Sequence, residues 1–195
     1  MINMGNTPQE TGKILSQPSS SPKHCLAEFT RVRMADFGVK CIQDIVPGDM
    51  VLGVDDCMKP TPVKVVQTSD QGYRACVDAC LENSARDHYI SLSCTAECKI
   101  LCMNIAEPHN AHTNDSFDCT DDFRQFPIGT IAYTSATSDA NARCYRPMTI
   151  NESYPYFISE YYDDQPEVDV YGIDVDSHNH LFVLANGLIV SNAAE

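Results

Sequence analysis

Positive charge is scarce in this sequence. Across 195 residues there are 13 Lys and Arg against 27 Asp and Glu, a formal net charge of −14. Sequence-independent binding to nucleic acid needs clusters of Lys and Arg facing phosphates, so DNA and RNA are not expected partners. Long apolar runs are also missing. None approaches the roughly 18 to 20 residues that span a bilayer, and residues 1–24 lack the apolar centre of a secretory signal. The expectation is a soluble intracellular protein, cytoplasmic or nuclear, that engages no membrane. Without a secretory signal, the ten cysteines read better as buried thiols, a metal site or a nucleophile than as a disulfide framework.

What is present suits one ordinary domain: 43% of the residues are hydrophobic, and the length allows a sizeable core. Residues 1–24 are polar, with a Ser/Pro-rich run from Gln17 to Pro22, the composition of a flexible tail. From Cys25 the character changes. Thr30-Arg31-Val32-Arg33-Met34 alternates with period two, and Ala35-Asp36-Phe37-Gly38 offers a turn. Pro47-Gly48-Asp49 marks another turn before the strand-like Met50-Val51-Leu52. Further strands are expected at Val63 to Val66, Tyr89 to Cys94 and Ile100 to Met103. From about 104 to 166 the periodicity fades, with ten acidic residues set against Arg124, Arg143 and Arg146, and this stretch reads as a loop-rich insertion. Alternation returns at Val168 to Val175. Asn186-Gly187 then sits between apolar runs, the strongest short-range hairpin signal. The fold class expected is all-β.

The two ends of the β-rich region carry the chemistry. Cys25 opens it, and Asn192 closes its last strand three residues before the chain stops. A cysteine can attack the carbonyl of the residue before it, here His24, turning that peptide bond into a thioester, because sulfur is both a good nucleophile and a good leaving group. An asparagine can attack its own carbonyl through its side-chain amide, closing a succinimide and releasing whatever follows. A chain with both can cut itself at both ends.

These residues resemble those of inteins. Cys-Leu-Ala-Glu-Phe-Thr-Arg-Val at 25–32, with Ile45-Val46-Pro47-Gly48-Asp49-Met50-Val51-Leu52-Gly53, is similar to the first intein splicing block. Val170 to Val175 and His180 to Asn192 are similar to the last two. The Tyr171-Gly172-Ile173 start and the spacing from His180 to Asn192 look most like the inteins of yeast vacuolar ATPase. The resemblance implies a Hint fold, a horseshoe-shaped all-β domain whose termini meet at a cleft. It also implies splicing by acyl shift at Cys25, transesterification by the residue after Asn192, and cyclisation of Asn192. Residues 1–24 and 193–195 would be host segments, its only partners, and residues 25–192 the element, acting as a monomer. Its 168 residues suit a mini-intein without an endonuclease, and no endonuclease motif is recognisable. Chemistry asks for the same convergence of ends, since the thioester at residue 24 must come within attack distance of residue 193.

Three positions depart from the family pattern. Inteins carry Thr-x-x-His, whose His assists the first acyl shift; the match here is Thr95-Ala96-Glu97-Cys98, with Cys98 where the His would be. A thiol is a weaker donor than imidazolium and titrates higher. His88 does not have the spacing to substitute. At the far end Ser191 stands where a His is usual, leaving His180 as the expected proton-transfer residue, with His178 behind it. Ala193 occupies a place that requires Cys, Ser or Thr. Alanine offers no nucleophile, so transesterification is blocked and the chain is expected to be a trapped precursor.

Blander readings stand beside these. Taken singly, Cys25 is an ordinary small buried residue, Asn192 a strand-ending polar residue, His180 a loop residue and Thr95 a packing residue. Cys94, Cys98 and Cys102, with Cys76 and Cys80, raise zinc, but spacing by four within strands is not the two-residue spacing of zinc knuckles. No metal and no cofactor is therefore expected. Beside splicing, two other functions fit the composition: a Hint domain that only cleaves, for which a terminal Asn is not required, and a non-catalytic β-rich binding module.

Overall fold

The computed structural model describes residues 25–83, 88–104, 123–130, 145–150 and 156–191. Strand β1 is Leu26–Ala27, followed by the hairpin of β2 (Arg31–Arg33) and β3 (Val39–Cys41). The expected turn at 35–38 closes that hairpin, where the Gly38 amide donates to Asp36 Oδ1 at 2.9 Å. Lys40 Nζ reaches Asp49 Oδ2 at 2.7 Å, and the Val46 amide donates to the same oxygen at 2.9 Å. These bonds fix the Pro47–Gly48 turn ahead of β4 (Met50–Val54). The Lys40 hydrogen bond comes first among the causes that hold the Asp49 carboxyl below its ordinary range.

Three long strands follow. β5 (Pro60–Ala75) pairs with β4, and β6 (Val77–Asn83) pairs with β7 (Tyr89–Cys94). Beyond them lie β8 (Lys99–Asn104), β9 (Phe123–Pro127), β10 (Tyr145–Pro147) and β11 (Tyr156–Tyr162). The chain finishes with β12 (Glu167–Val175), β13 (Leu181–Val183) and β14 (Ile189–Ser191). One sheet has the order β11-β6-β7-β1-β12-β5-β4; a second runs β10-β8-β14-β13, with β9 also on β8. All of the pairings are antiparallel.

Both sheets feed one core. Val63 and Val65 of β5, Leu81 of β6, Ile90 and Leu92 of β7, Ile100 of β8, Ile173 of β12, Phe182 of β13 and Val190 of β14 form a single buried cluster. A smaller cluster joins Leu52 and Val54 to Leu101, Leu181, Val183 and Ile189. Gly53 is required between them, because a Cβ there would stand 2.8 Å from the Leu181 carbonyl oxygen. No helix among the described residues is long and apolar enough to cross a membrane.

The expected strands are present, and the differences have physical causes. β6 was not anticipated, although Val77, Ala79 and Leu81 alternate with period two and are buried. β9, β10 and β11 fall inside the stretch read as loop-rich. β11 is held to β6 over most of its length, with Tyr156 fully buried. Its polar residues face outward, so composition alone hid a strand whose stability comes from its partner. Residues 105–122, 131–144 and 151–155 of this stretch lie outside the described residues.

Candidate active site

Cys25 is 1% exposed and is held by the residue that follows β7. Its backbone amide donates to Thr95 Oγ1 at 3.2 Å, and the Thr95 amide returns a bond to the Cys25 carbonyl at 2.9 Å. Leu26 lies between Cys94 of β7 and Tyr171 of β12, so β1 is wedged into the first sheet by both neighbours. Ala27, Cys76 and Val170 pack with Cys25 into a small apolar cluster.

Other thiols crowd this end. Burial first, then the Coulombic influence of Asp78 and Cys98, pushes the Cys76 thiol up to about 11. Cys94 is pushed well above the usual thiol range by burial first and then by a hydrogen bond with Cys98. Both stay protonated near neutral pH and are poor competing nucleophiles. The described cysteines are thiols rather than disulfides. No group of three or more His, Cys, Asp or Glu side chains among the described residues is arranged to hold a metal ion.

Thr95 also begins a tight turn. The Cys98 amide donates to the Thr95 carbonyl at 2.9 Å, and Cys98 is 1% exposed. Two amides from just beyond β9 close over the turn, Ile128 to the Cys98 carbonyl at 2.9 Å and Gly129 to the Ala96 carbonyl at 3.1 Å. Gly129 has little room for a side chain: a Cβ would stand 3.2 Å from the Ala96 oxygen and 3.3 Å from the Tyr161 hydroxyl. Lys99 then leads into β8 and pairs with Ser191, the last residue of β14. Five consecutive residues thus hold Cys25 at one end and meet Ser191 at the other.

At the downstream end, β13 and β14 form the expected hairpin around Asn186-Gly187. Gly187 takes φ +91, and Asn186 Oδ1 accepts from the Leu188 amide at 3.1 Å. Ser191 is 1% exposed and pairs with Leu181 as well as Lys99. His180 immediately precedes Leu181. Its Nδ1 lies 3.0 Å from Asp174 Oδ1, with both side chains about two-fifths exposed. His178 lies at the surface against Asp56 at 3.0 Å. His88, at the opposite end of β7 from Thr95, bonds the Tyr156 hydroxyl through Nδ1 at 2.6 Å.

Cys25, Thr95 and Cys98 are therefore brought together, while Ser191 pairs with Leu181, the residue that follows His180. His24, Asn192 and Ala193 lie outside the described residues. Sequence reasoning missed the Ile128–Gly129 clasp, hidden in the stretch read as loops, and Asp174, which its alternating strand marked only as an outward polar position.

The architecture is that of the Hint fold, the all-β class of the inteins. The solved structures to which the chain is similar include the MchDnaB-1 intein in its N145AA form, with TM-score 0.53 and 19% identity, over 86% of this chain and 99% of that one. The DnaB intein of Synechocystis sp. PCC 6803 has TM-score 0.55 at 13% identity, over 87% and 99% respectively. For the gp41-1 intein the values are 0.53 and 16%, over 87% and 98%. No protein-family model and no curated protein matches the sequence.

Proposed function

We propose that this chain is a self-splicing element spanning Cys25 to Asn192, flanked by host segments 1–24 and 193–195 and held before ligation by Ala193. The observation that carries this reading is the shared turn: Thr95 hydrogen-bonds Cys25 while Lys99 pairs with Ser191, the neighbour of Asn192. Two reactive chain ends far apart in sequence need such a meeting point, and an ordinary packing role for either end does not. The Cys25 sulfur attacks the His24 carbonyl carbon, and its proton passes to the departing Cys25 nitrogen. Asn192 closes on its own carbonyl, with His180 handling the proton. Within the inteins, the Tyr171-Gly172-Ile173 start and the His180 to Asn192 spacing support a resemblance of the ends to the yeast vacuolar-ATPase type.

Ala193 favours a second reading, a Hint domain that cleaves without ligating. Mass spectrometry of the incubated chain separates the two. Hydroxylamine or thiol releases residues 1–24, and Asn192 cyclisation slowly releases Ala193-Ala194-Glu195. Replacing Ala193 by Cys, Ser or Thr restores joined flanks and a free 168-residue element if splicing is native. Cleavage without any joining supports the second reading. A chain inert to strong nucleophiles in all of these forms overturns both and leaves a binding module.

A further inference from the structure

We propose that Asp174 is a positioning residue that sets the tautomer and aim of His180. The proposal rests on the splicing reading only for the identity of the group that His180 serves. His180 sits at φ +53, in the left-handed region that non-glycine residues seldom enter. The connection from β12 to β13 is bolted so that it stays there. Asn179 Nδ2 donates to the Val54 carbonyl at 2.9 Å, and Asn179 Oδ1 accepts from Ser177 Oγ at 3.1 Å and from the Leu181 amide at 3.2 Å. Gln125 Nε2 donates to the Asn179 carbonyl at 2.9 Å, and the Asp176 amide donates to the Lys64 carbonyl at 2.8 Å. Three separate strands, β4, β5 and β9, thereby fix the backbone of a segment that a surface turn would leave loose.

With the backbone fixed, the ring is aimed by one contact, Nδ1 against Asp174 Oδ1 at 3.0 Å. An ionised carboxylate can only accept, so Nδ1 carries the hydrogen and the neutral ring keeps its lone pair on Nε2. That is the form a general base requires. A solvent-exposed ion pair with no further role contributes little and needs no left-handed residue or clamp on three strands. In the reaction, Nε2 takes a proton from the Asn192 side-chain amide as its nitrogen bonds to the Asn192 carbonyl carbon. It gives a proton to the Ala193 nitrogen as the old peptide bond breaks, so the ring ends as it began. Asp174 changes no bond.

The test uses the full chain with Asp174→Asn and Asp174→Glu, followed by three readings. Loss of residues 193–195 is timed by intact mass, hydroxylamine release of residues 1–24 is timed in parallel, and the His180 tautomer is read from ¹⁵N-histidine NMR where the ring is neutral. Asn can donate to Nδ1 and so stabilise the wrong tautomer. It is expected to slow loss of 193–195 by about 10- to 100-fold, less than the ~10⁴ that the same change costs in a buried triad. Glu is expected to restore part of that loss, the release of 1–24 is expected to stay within twofold throughout, and the Nδ1–H form is expected to be populated less in Asp174→Asn. Equal slowing at both ends makes Asp174 a structural residue and overturns the proposal, as does a tautomer indifferent to Asp174. A wild-type chain that never loses 193–195, yet shows the Asp174-dependent tautomer, overturns the splicing reading while supporting the positioning.

Discussion

Cys25 is sealed among Ala27, Cys76 and Val170 at 1% exposure, whereas His180 and Asp174 at the other end keep about two-fifths of their side chains in water. Around the upstream end the described residues place the Thr95 hydroxyl, backbone amides and the protonated thiols of Cys76 and Cys94. The downstream end has a carboxylate and an imidazole. Under the proposed splicing function the first would be a site of shape, where placement and exclusion of water set the rate, and the second a site of proton transfer. The shared turn from Thr95 to Lys99 is the part they have in common.

Removing the reacting groups breaks the comparison most severely. Cys25→Ala is expected to abolish hydroxylamine release of 1–24 while residues 193–195 are still lost, and Asn192→Ala is expected to do the reverse; mass spectrometry reads both. If either change silenced both ends, their chemical independence would be wrong. Thr95→Val keeps the volume and deletes the bond to the Cys25 amide. A net hydrogen-bond contribution of about 1.4 kcal/mol predicts roughly tenfold slower upstream release, with the downstream rate within twofold.

Cys98→His sharpens the upstream side. A ring at the position where inteins carry His is expected to speed thiol-induced release several-fold. No gain with circular dichroism unchanged would show that the turn is misaligned with the family block. Gly129→Ala tests the shared turn itself. Its Cβ meets the Ala96 oxygen and the Tyr161 hydroxyl, so a stability loss of about 1 kcal/mol by urea unfolding is expected, with both ends slowed together by a few-fold.

The smallest effect belongs to a pair remote from both ends. Lys40 and a backbone amide lower the Asp49 carboxyl, so it binds protons more weakly folded than unfolded. Its stabilisation is present above the unfolded value near 4 and fades as pH falls through the depressed folded value. Because the pair is partly exposed, Asp49→Asn is expected to cost only a few tenths of a kcal/mol at pH 7 and progressively less as pH falls through the folded value, with neither cleavage changed.

Much of this was readable from residues alone. Alternation located β12, and Asn186-Gly187 located the last hairpin. What escaped was set by contacts between distant segments. β1 is two residues long, too short for any period to register, and exists because β7 and β12 flank it. The Ile128–Gly129 clasp consists of backbone amides, which carry no side-chain signature. The Asp174–His180 contact depends on a left-handed residue whose conformation is imposed by Asn179, Val54 and Gln125, and spacing by six predicts no such meeting.

The wedge that holds β1 also sets a clock. Leu26 is among the first of the described residues to leave a ribosome, but one of its two neighbours, Tyr171, is among the last. Until β12 has been synthesised, the strand that follows Cys25 has a partner on one side only, and closing that distance is among the slowest events in assembling such a sheet. Under the proposed splicing function, a chain cut short before β12 is therefore expected to keep its leading segment attached. On that same reading, order of synthesis would delay the first cut until the machinery for the second is nearly complete.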